Sequence, residues 1–275
     1  MKVEDCIVSV ERRTVGGCID LALVFARHFA WPIAKLTLAF AVPCSLLIWI
    51  AADAVRRDML IPSIIVFAFF TMLASGALVA AVGPQVFGVP ISTGQAMKSL
   101  IRRSIPYVVL GILFRMVGFC MFFPVLFVLA WGGHLPEVMF LEMTPVSQVS
   151  SRLSWLTRRG GYSRNLGRLI TITGFWMVFA VGLFLLIDIL SGLLFNMPVF
   201  FGTISFGPDL GKAFQSRLID DPTFIVVLQA SLWITWPIAR LAWFFCYLDQ
   251  RIRNECWDLD LQIRAESRRL EEQVA

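Results

Sequence analysis

Charge is scarce in this chain. Asp, Glu, Lys and Arg make up 16% of its 275 residues, against about 25% in an average soluble domain. Histidine is scarcer still, with His28 and His134 the only two. Cys6, Cys18, Cys44, Cys120, Cys246 and Cys256 are scattered, with no CxxC and no paired spacing. A zinc site built from near neighbours is thereby excluded. There is no G-x-S-x-G, no H-E-x-x-H and no Ser-His-Asp grouping with a histidine to serve it. The glycine-rich "GPQVFGVPISTG" (Gly83–Gly94) lacks the lysine and the spacing of a phosphate loop, so it reads as a turn between membrane elements. No acid and base can be paired at a plausible depth. The chain reads as non-enzymatic, without metal or cofactor.

What the chain has in plenty is apolar surface: 58% of residues are hydrophobic and the mean hydropathy is +0.76. One core cannot hide that excess, so lipid must be the solvent for much of it. The net charge of +5 then records membrane orientation rather than an affinity for nucleic acid. Thiols inside the oily runs read as small buried hydrophobes. The opening "MKVEDCIVSVERR" is mixed in charge and does not resemble a cleavable signal.

Four apolar runs are long enough to cross a bilayer: Ile33–Ala52, which lies between Trp31 and Trp49 as interface anchors, Ile61–Val82, Leu169–Leu190 and Phe224–Leu248. The run from Ile105 to Met143 is too long for one crossing and short for two. Charge decides the parity. Two limbs turning near Pro124 put Lys2, Arg12, Arg13, Lys98, Arg102, Arg103, Arg152, Arg158, Arg159, Arg164, Arg168 and the basic tail on the cytoplasmic side. Arg56, Arg57, Lys212 and Arg217 are left outside. The positive-inside bias favours that arrangement. The second limb is interrupted by "GGHLP", which predicts a broken helix shielded by protein or water.

Three amphipathic stretches, Val15–Phe29, Ser92–Ser104 and Val149–Gly160, each precede a pair of apolar segments. Each spaces its apolar residues three and four apart, so such helices can lie in the interface with their basic residues toward lipid phosphates. The pattern is a pseudo-threefold repeat. The expected fold is an all-α polytopic membrane bundle with both termini cytoplasmic. One transmembrane domain covers residues 1–248, with spans near 33–52, 61–82, 105–123, 124–141, 169–190 and 224–248, and a cytoplasmic juxtamembrane tail covers 249–275.

Two segments carry a family resemblance. In Pro136–Phe175 a proline and an apolar run ending in Glu142 precede Arg152, Leu153, Leu156, Arg159, Gly160 and Arg168. In the tail, Tyr247, Asp249, Arg251, Arg253, Glu255, Asp258 and Leu259 follow a "Y-D-x-R-x-R-x-E-G-x-D-L" spacing, with Cys256 where that pattern has glycine. These segments resemble the membrane domain of glycerophosphoryl diester phosphodiesterases and of many bacterial polytopic proteins. The resemblance implies a helical membrane module that brings no catalytic residues with it, because in the phosphodiesterases the chemistry belongs to a separate soluble domain.

Arg115, about ten residues into the third limb, and Arg240, in the inner third of the last, are cations in an apolar setting. Such residues invite a functional reading. Either they contact an anionic substrate or lipid phosphate, or they are structural: Arg115 on the free carbonyls of the broken limb, Arg240 on Glu137 or Glu142. Lys35 and Asp188 sit near span ends, where they can snorkel.

In the tail, Asp249 and Arg253, and Arg251 and Glu255, are four apart, as on a helix. Trp257 and Leu261 fall on one side of that helix, Leu259 and Ile263 nearly opposite, although their alternation also fits a strand. The tail reads as a docking handle for a cytoplasmic or membrane protein, on a chain whose other partners are the bilayer and anionic headgroups. Two functions follow: a membrane scaffold or assembly subunit, or a small-solute or lipid transporter using the two arginines.

Overall fold

The structure is a computed structural model that describes residues 12–55, 60–86, 92–120, 125–158, 160–196 and 221–255. Trp257, Leu259, Leu261 and Ile263 lie outside the described residues, as do Arg56, Arg57 and Arg159. Among the described residues there are ten α-helices and no strand. They are α1 (Val15–His28), α2 (Ala30–Val55), α3 (Leu60–Val86), α4 (Thr93–Arg102), α5 (Ser104–Cys120), α6 (Val125–Gly132), α7 (Leu135–Phe140), α8 (Val146–Leu156), α9 (Gly161–Phe195) and α10 (Pro222–Glu255).

Four of these helices are long and apolar enough to cross a membrane. The apolar stretches are Ala30–Ala51, Ile61–Val86, Gly161–Phe195 and Thr223–Glu255, with mean hydropathy from 1.5 to 2.5. The expected spans at 33–52, 61–82, 169–190 and 224–248 fall inside them. The middle is of a different kind. At 17 residues α5 has roughly 25 Å of helix rise. The limb that follows is two short helices, α6 and α7, of 8 and 6 residues.

The break between α6 and α7 falls at Gly133–His134, inside "GGHLP". A Cβ on Gly133 would collide with the Leu129 carbonyl oxygen, so no other residue fits there without a shift. Pro136 sits in the first turn of α7, where the missing N–H costs no hydrogen bond. The carbonyl of Gly133 is satisfied from outside the limb, by the Trp243 indole N–H at 3.1 Å.

By compactness the chain divides into two units, Met1–Ala30 with Ser75–Ile172 and Arg240–Ala275, and Trp31–Ala74 with Thr173–Ala239. In the second, Phe67 stacks on Trp176 and meets Trp233 edge-on, while Gln229 Nε2 donates to the Ser63 carbonyl. Lys35 is exposed and lies over the exposed Trp31 ring. Asp188 corrects the snorkelling expectation: it is 1% exposed, turned inward rather than toward an interface.

The first unit gathers α1, α4, α5, α6, α7 and α8 with the Ser75–Val86 end of α3, the Gly161–Ile172 start of α9 and the Arg240–Glu255 end of α10. The small residues of "SGALVAAVG" in α3 permit close approach. A Cβ on Gly76 would lie within 2.9 Å of Phe140, Leu100 and Tyr107 side chains. The predicted amphipathic stretches appear as α1, α4 and α8. Thr14 caps α1 through the Gly17 N–H, and Ser92 and Gln95 form a reciprocal capping box on α4. Their apolar faces are buried in the protein: Cys18, Ala22 and Phe25 of α1, Ala96 and Leu100 of α4, Val149, Leu153 and Leu156 of α8. Those faces are therefore not spare surfaces waiting for lipid. Cys18 and Cys246 in this unit, and Cys44 in the other, are buried free thiols.

Candidate functional site

The polar residues of the first unit converge on the last four turns of α10. Arg240, Trp243, Tyr247 and Arg251 recur every three or four residues and so share one face of that helix. Three charged clusters form along it.

The deepest is Arg240 with Glu137. Arg240 Nη2 donates to Glu137 Oε1 at 2.7 Å, with the side chains 7% and 0% exposed. Glu137 stands in the first turn of α7, where the helix end favours a negative charge. Of the two carboxylates that the sequence offered Arg240, Glu137 is the one it meets. His134 stacks on the Trp243 ring at 4.4 Å, beside Asn165. Hydrogen bonding here is incomplete: Arg240 Nε and Nη1, Glu137 Oε2 and both His134 nitrogens are buried without a protein partner.

Arg115 on α5 lies close enough to Arg240 and Tyr107 to act on them electrostatically. Its expected bonds to the carbonyls of the broken limb are not seen among the described residues. The Gly133 carbonyl takes its proton from Trp243 instead, and the Met139 carbonyl from Arg103 at 3.0 Å. Arg115 makes no hydrogen bond or ion pair among the described residues.

The second cluster centres on Asp249, 1% exposed. Arg168 from α9 donates to Asp249 Oδ2 and, at 3.0 Å, to the Cys246 carbonyl. Arg253 donates to the same carboxylate at 2.8 Å, and the backbone N–H of Arg13 reaches Oδ1 at 2.7 Å. Arg253 Nη2 also donates to the Arg13 carbonyl. The segment ahead of α1 is thus fastened to α10 by hydrogen bonds in both directions.

The third cluster is nearer the surface. Arg152 of α8 grips Glu142 with Nε at 2.6 Å and Nη2 at 2.8 Å, the bidentate geometry that makes such pairs strong. The Tyr247 hydroxyl donates to Glu142 as well. Arg152 and Arg251 both bond Glu255, and the Arg152 guanidinium lies 4.5 Å from the centre of the Trp155 ring. Glu142, Thr144, Gln148, Ser151, Arg152, Trp155 and Arg251 line an open groove of about 510 Å³. Gln250 and Asn254, one turn apart on α10, both donate to the Leu156 carbonyl at the end of α8.

By sequence, Asp249, Arg251, Arg253 and Glu255 read as a helix running on from the last span into a docking handle. They continue α10 and spend their charges inside the first unit, while forming the two predicted i,i+4 pairs. The residues that the sequence did not single out are His134, Asn165, Tyr107, Gln250 and Asn254. Their signal was polarity: each is a polar residue within or beside an apolar run.

Among the described residues no group of three or more His, Cys, Asp or Glu is placed to hold a metal ion. The chain matches no known family model, no curated protein and no solved structure. What the geometry adds is internal: segments 142–168 and 247–255, about a hundred residues apart, meet in space. Glu142, Arg152, Tyr247, Arg251 and Glu255 form one bonded set, and Arg168, Asp249 and Arg253 another.

The Glu142 set titrates. Burial pushes its carboxyl up, but the hydrogen bonds from Arg152 and Tyr247 and the charge of Arg251 outweigh that, and its pKa lies below the usual value. A carboxylate whose folded pKa is depressed contributes stability above the unfolded pKa, about 4.3 for glutamate, and loses it as pH falls through the folded value. The melting temperature in detergent is expected to fall below about pH 4.3, and Glu142→Gln to remove part of that slope. A titration in which both proteins fall alike rejects the assignment.

Proposed function

We propose that the protein is a non-enzymatic integral membrane scaffold of the bacterial inner membrane that holds partners on the cytoplasmic face. The four long helices cross the bilayer. With α5 and the broken limb of α6 and α7 returning to the side from which they start, six apolar limbs pass through or into the membrane. Both chain ends then face the cytoplasm. The order of one amphipathic helix followed by two apolar limbs, met as α1–α2–α3, α4–α5–α6/α7 and α8–α9–α10, agrees with a threefold repeat of phosphodiesterase membrane-domain type.

One observation supports the scaffold most. Arg240, Arg168, Arg253, Arg152 and Arg251 are engaged by Glu137, Asp249, Glu142 and Glu255, so most of the buried charge holds helices together rather than waiting for cargo. A carrier gathers several unengaged polar groups at one depth. Surface is left for binding: Arg27, Lys98, Arg102, Arg158 and Arg164 are exposed, and the groove beside Trp155 opens where α10 ends at Glu255. The chain continues from there into the Trp257, Leu259, Leu261 and Ile263 segment, the proposed docking handle.

The test is purification of the full-length chain, and of a chain lacking residues 257–275, from native membranes in mild detergent. A near-stoichiometric protein present with the first and absent with the second is expected, with melting temperatures that agree within about 2 °C, the equivalent of less than about 1 kcal/mol. Recovery of both chains alone rejects the scaffold.

A further inference from the structure

We infer that Arg115 and Arg240 bind the phosphate of an anionic phospholipid. The inference stands on local charge and unspent donors and does not rest on the scaffold reading. Arg240 is bonded to Glu137, and Arg115, within electrostatic reach of Arg240, is bonded to nothing among the described residues. The two guanidiniums repel each other. The other groups facing them do not restore the balance: Tyr107 is a phenol, Glu142 is taken by Arg152, and Arg168, which also acts on His134, is taken by Asp249. Among the described residues the site carries one cation in excess in apolar surroundings.

An uncompensated guanidinium at such a place is costly, and an oxyanion is the group that relieves it. The donors are present. Arg240 Nε and Nη1 are buried with no hydrogen-bond partner, and Arg115 spends no N–H group on the described residues. A guanidinium fork suits a phosphate or carboxylate, which can accept two parallel bonds.

The surface of α5 identifies the source. Arg115 is half-buried, between Gly111 and Tyr107 on the inward side and Ile112, Leu113 and Met116, all exposed, on the other. The approach to Arg115 thus runs along apolar surface, which admits an amphiphile more readily than a hydrated ion. An arginine beside lipid snorkels toward the headgroups, which brings phosphate and guanidinium together.

The experiment uses the full-length protein in a neutral detergent, with melting temperature read against added short-chain phosphatidylglycerol, short-chain phosphatidylcholine and inorganic phosphate. Bound ligand raises the melting temperature in a saturable way. Phosphatidylglycerol is expected to stabilise the wild type, and phosphatidylcholine is not. Arg115→Leu should weaken the phosphatidylglycerol response at least ten-fold in half-saturating concentration, while Lys35→Leu, an exposed cation on α2 beside Trp31, leaves it intact. If Arg115→Leu does not insert, Arg115→Gln serves, since it removes the charge and keeps hydrogen bonding. Equal responses to the two lipids, or an Arg115 variant that responds as the wild type does, overturn the site. Saturation by inorganic phosphate at the same concentration as phosphatidylglycerol overturns the lipid and assigns the arginines to a free oxyanion.

Discussion

Glu137→Leu is expected to destabilise the protein by about 3–5 kcal/mol, the usual cost of removing one partner from a buried ion pair. Arg240 is 7% exposed, and among the described residues Glu137 Oε1 is the one acceptor bonded to its guanidinium. The loss leaves a cation with nothing to answer it and two further donors already unmet. The converse change, Arg240→Met, strands a carboxyl that is fully buried, but that group can take up a proton, so the loss should be smaller. The double variant Glu137→Leu with Arg240→Met separates two accounts of the pair. If its role is architectural, removing both charges recovers most of the stability, because well-packed apolar residues often replace a buried pair without loss. Thermal unfolding followed by a thiol-reactive dye suits this chain, whose Cys18, Cys44 and Cys246 are buried and react when the fold opens. A silent Glu137→Leu, or a double variant no better than the worse single one, rules out a structural pair.

The difference between what was legible in the sequence and what was not follows from the range of the forces involved. Helices depend on neighbours three and four residues away. The four long helices, the amphipathic α1, α4 and α8, and the break inside "GGHLP" are therefore written locally, as period, composition and a glycine pair before a proline. The pairs Asp249–Arg253 and Arg251–Glu255 are local in the same sense. The partner of a buried charge is not. Arg168 meets Asp249 across 81 positions, and Arg152 meets Glu255 across 103. Nothing in a single sequence says which of several carboxylates an arginine will reach. Glu137 and Glu142 were equal candidates for Arg240. They parted because Glu137 begins α7 inside the unit, whereas Glu142 follows its end and turns to α8. The same limit holds at the start of the tail, where the helix running on from the last span is legible and the partners of its charges are not. An alternation of acid and base looks like a solvated strip, but Asp249 and Gln250 are at most 1% exposed because α9, α8 and the segment before α1 supply their partners.

Asp249→Asn should cost as much as the loss of Glu137, about 3–5 kcal/mol, since it also strands a buried arginine. Its mark should be local. One carboxylate holds Arg168, 3% exposed, together with Arg253 and the Arg13 backbone N–H, so three segments of chain part when its charge goes. An asparagine keeps the shape and one acceptor oxygen but replaces the other with a donor, which faces donors already there. The segment before α1 has the least else to hold it. Cys18, in the first turn of α1 and fully buried against Cys246, should become reactive under native conditions. Modification by a membrane-permeant maleimide, assigned by peptide mass spectrometry, is expected to be at least ten-fold faster at Cys18 in Asp249→Asn than in the wild type, about 1.4 kcal/mol of opening free energy for each factor of ten. Cys44, in α2 and the other unit, is the internal control. If Cys44 accelerates equally, the variant opens the whole fold and Asp249 has no special hold on α1. If neither thiol changes while the melting temperature drops, the stability lies in the Arg168 bond alone and the tie to Arg13 is incidental. A rise confined to the first unit's thiols identifies Asp249 as the fastener between the start of the chain and its last helix.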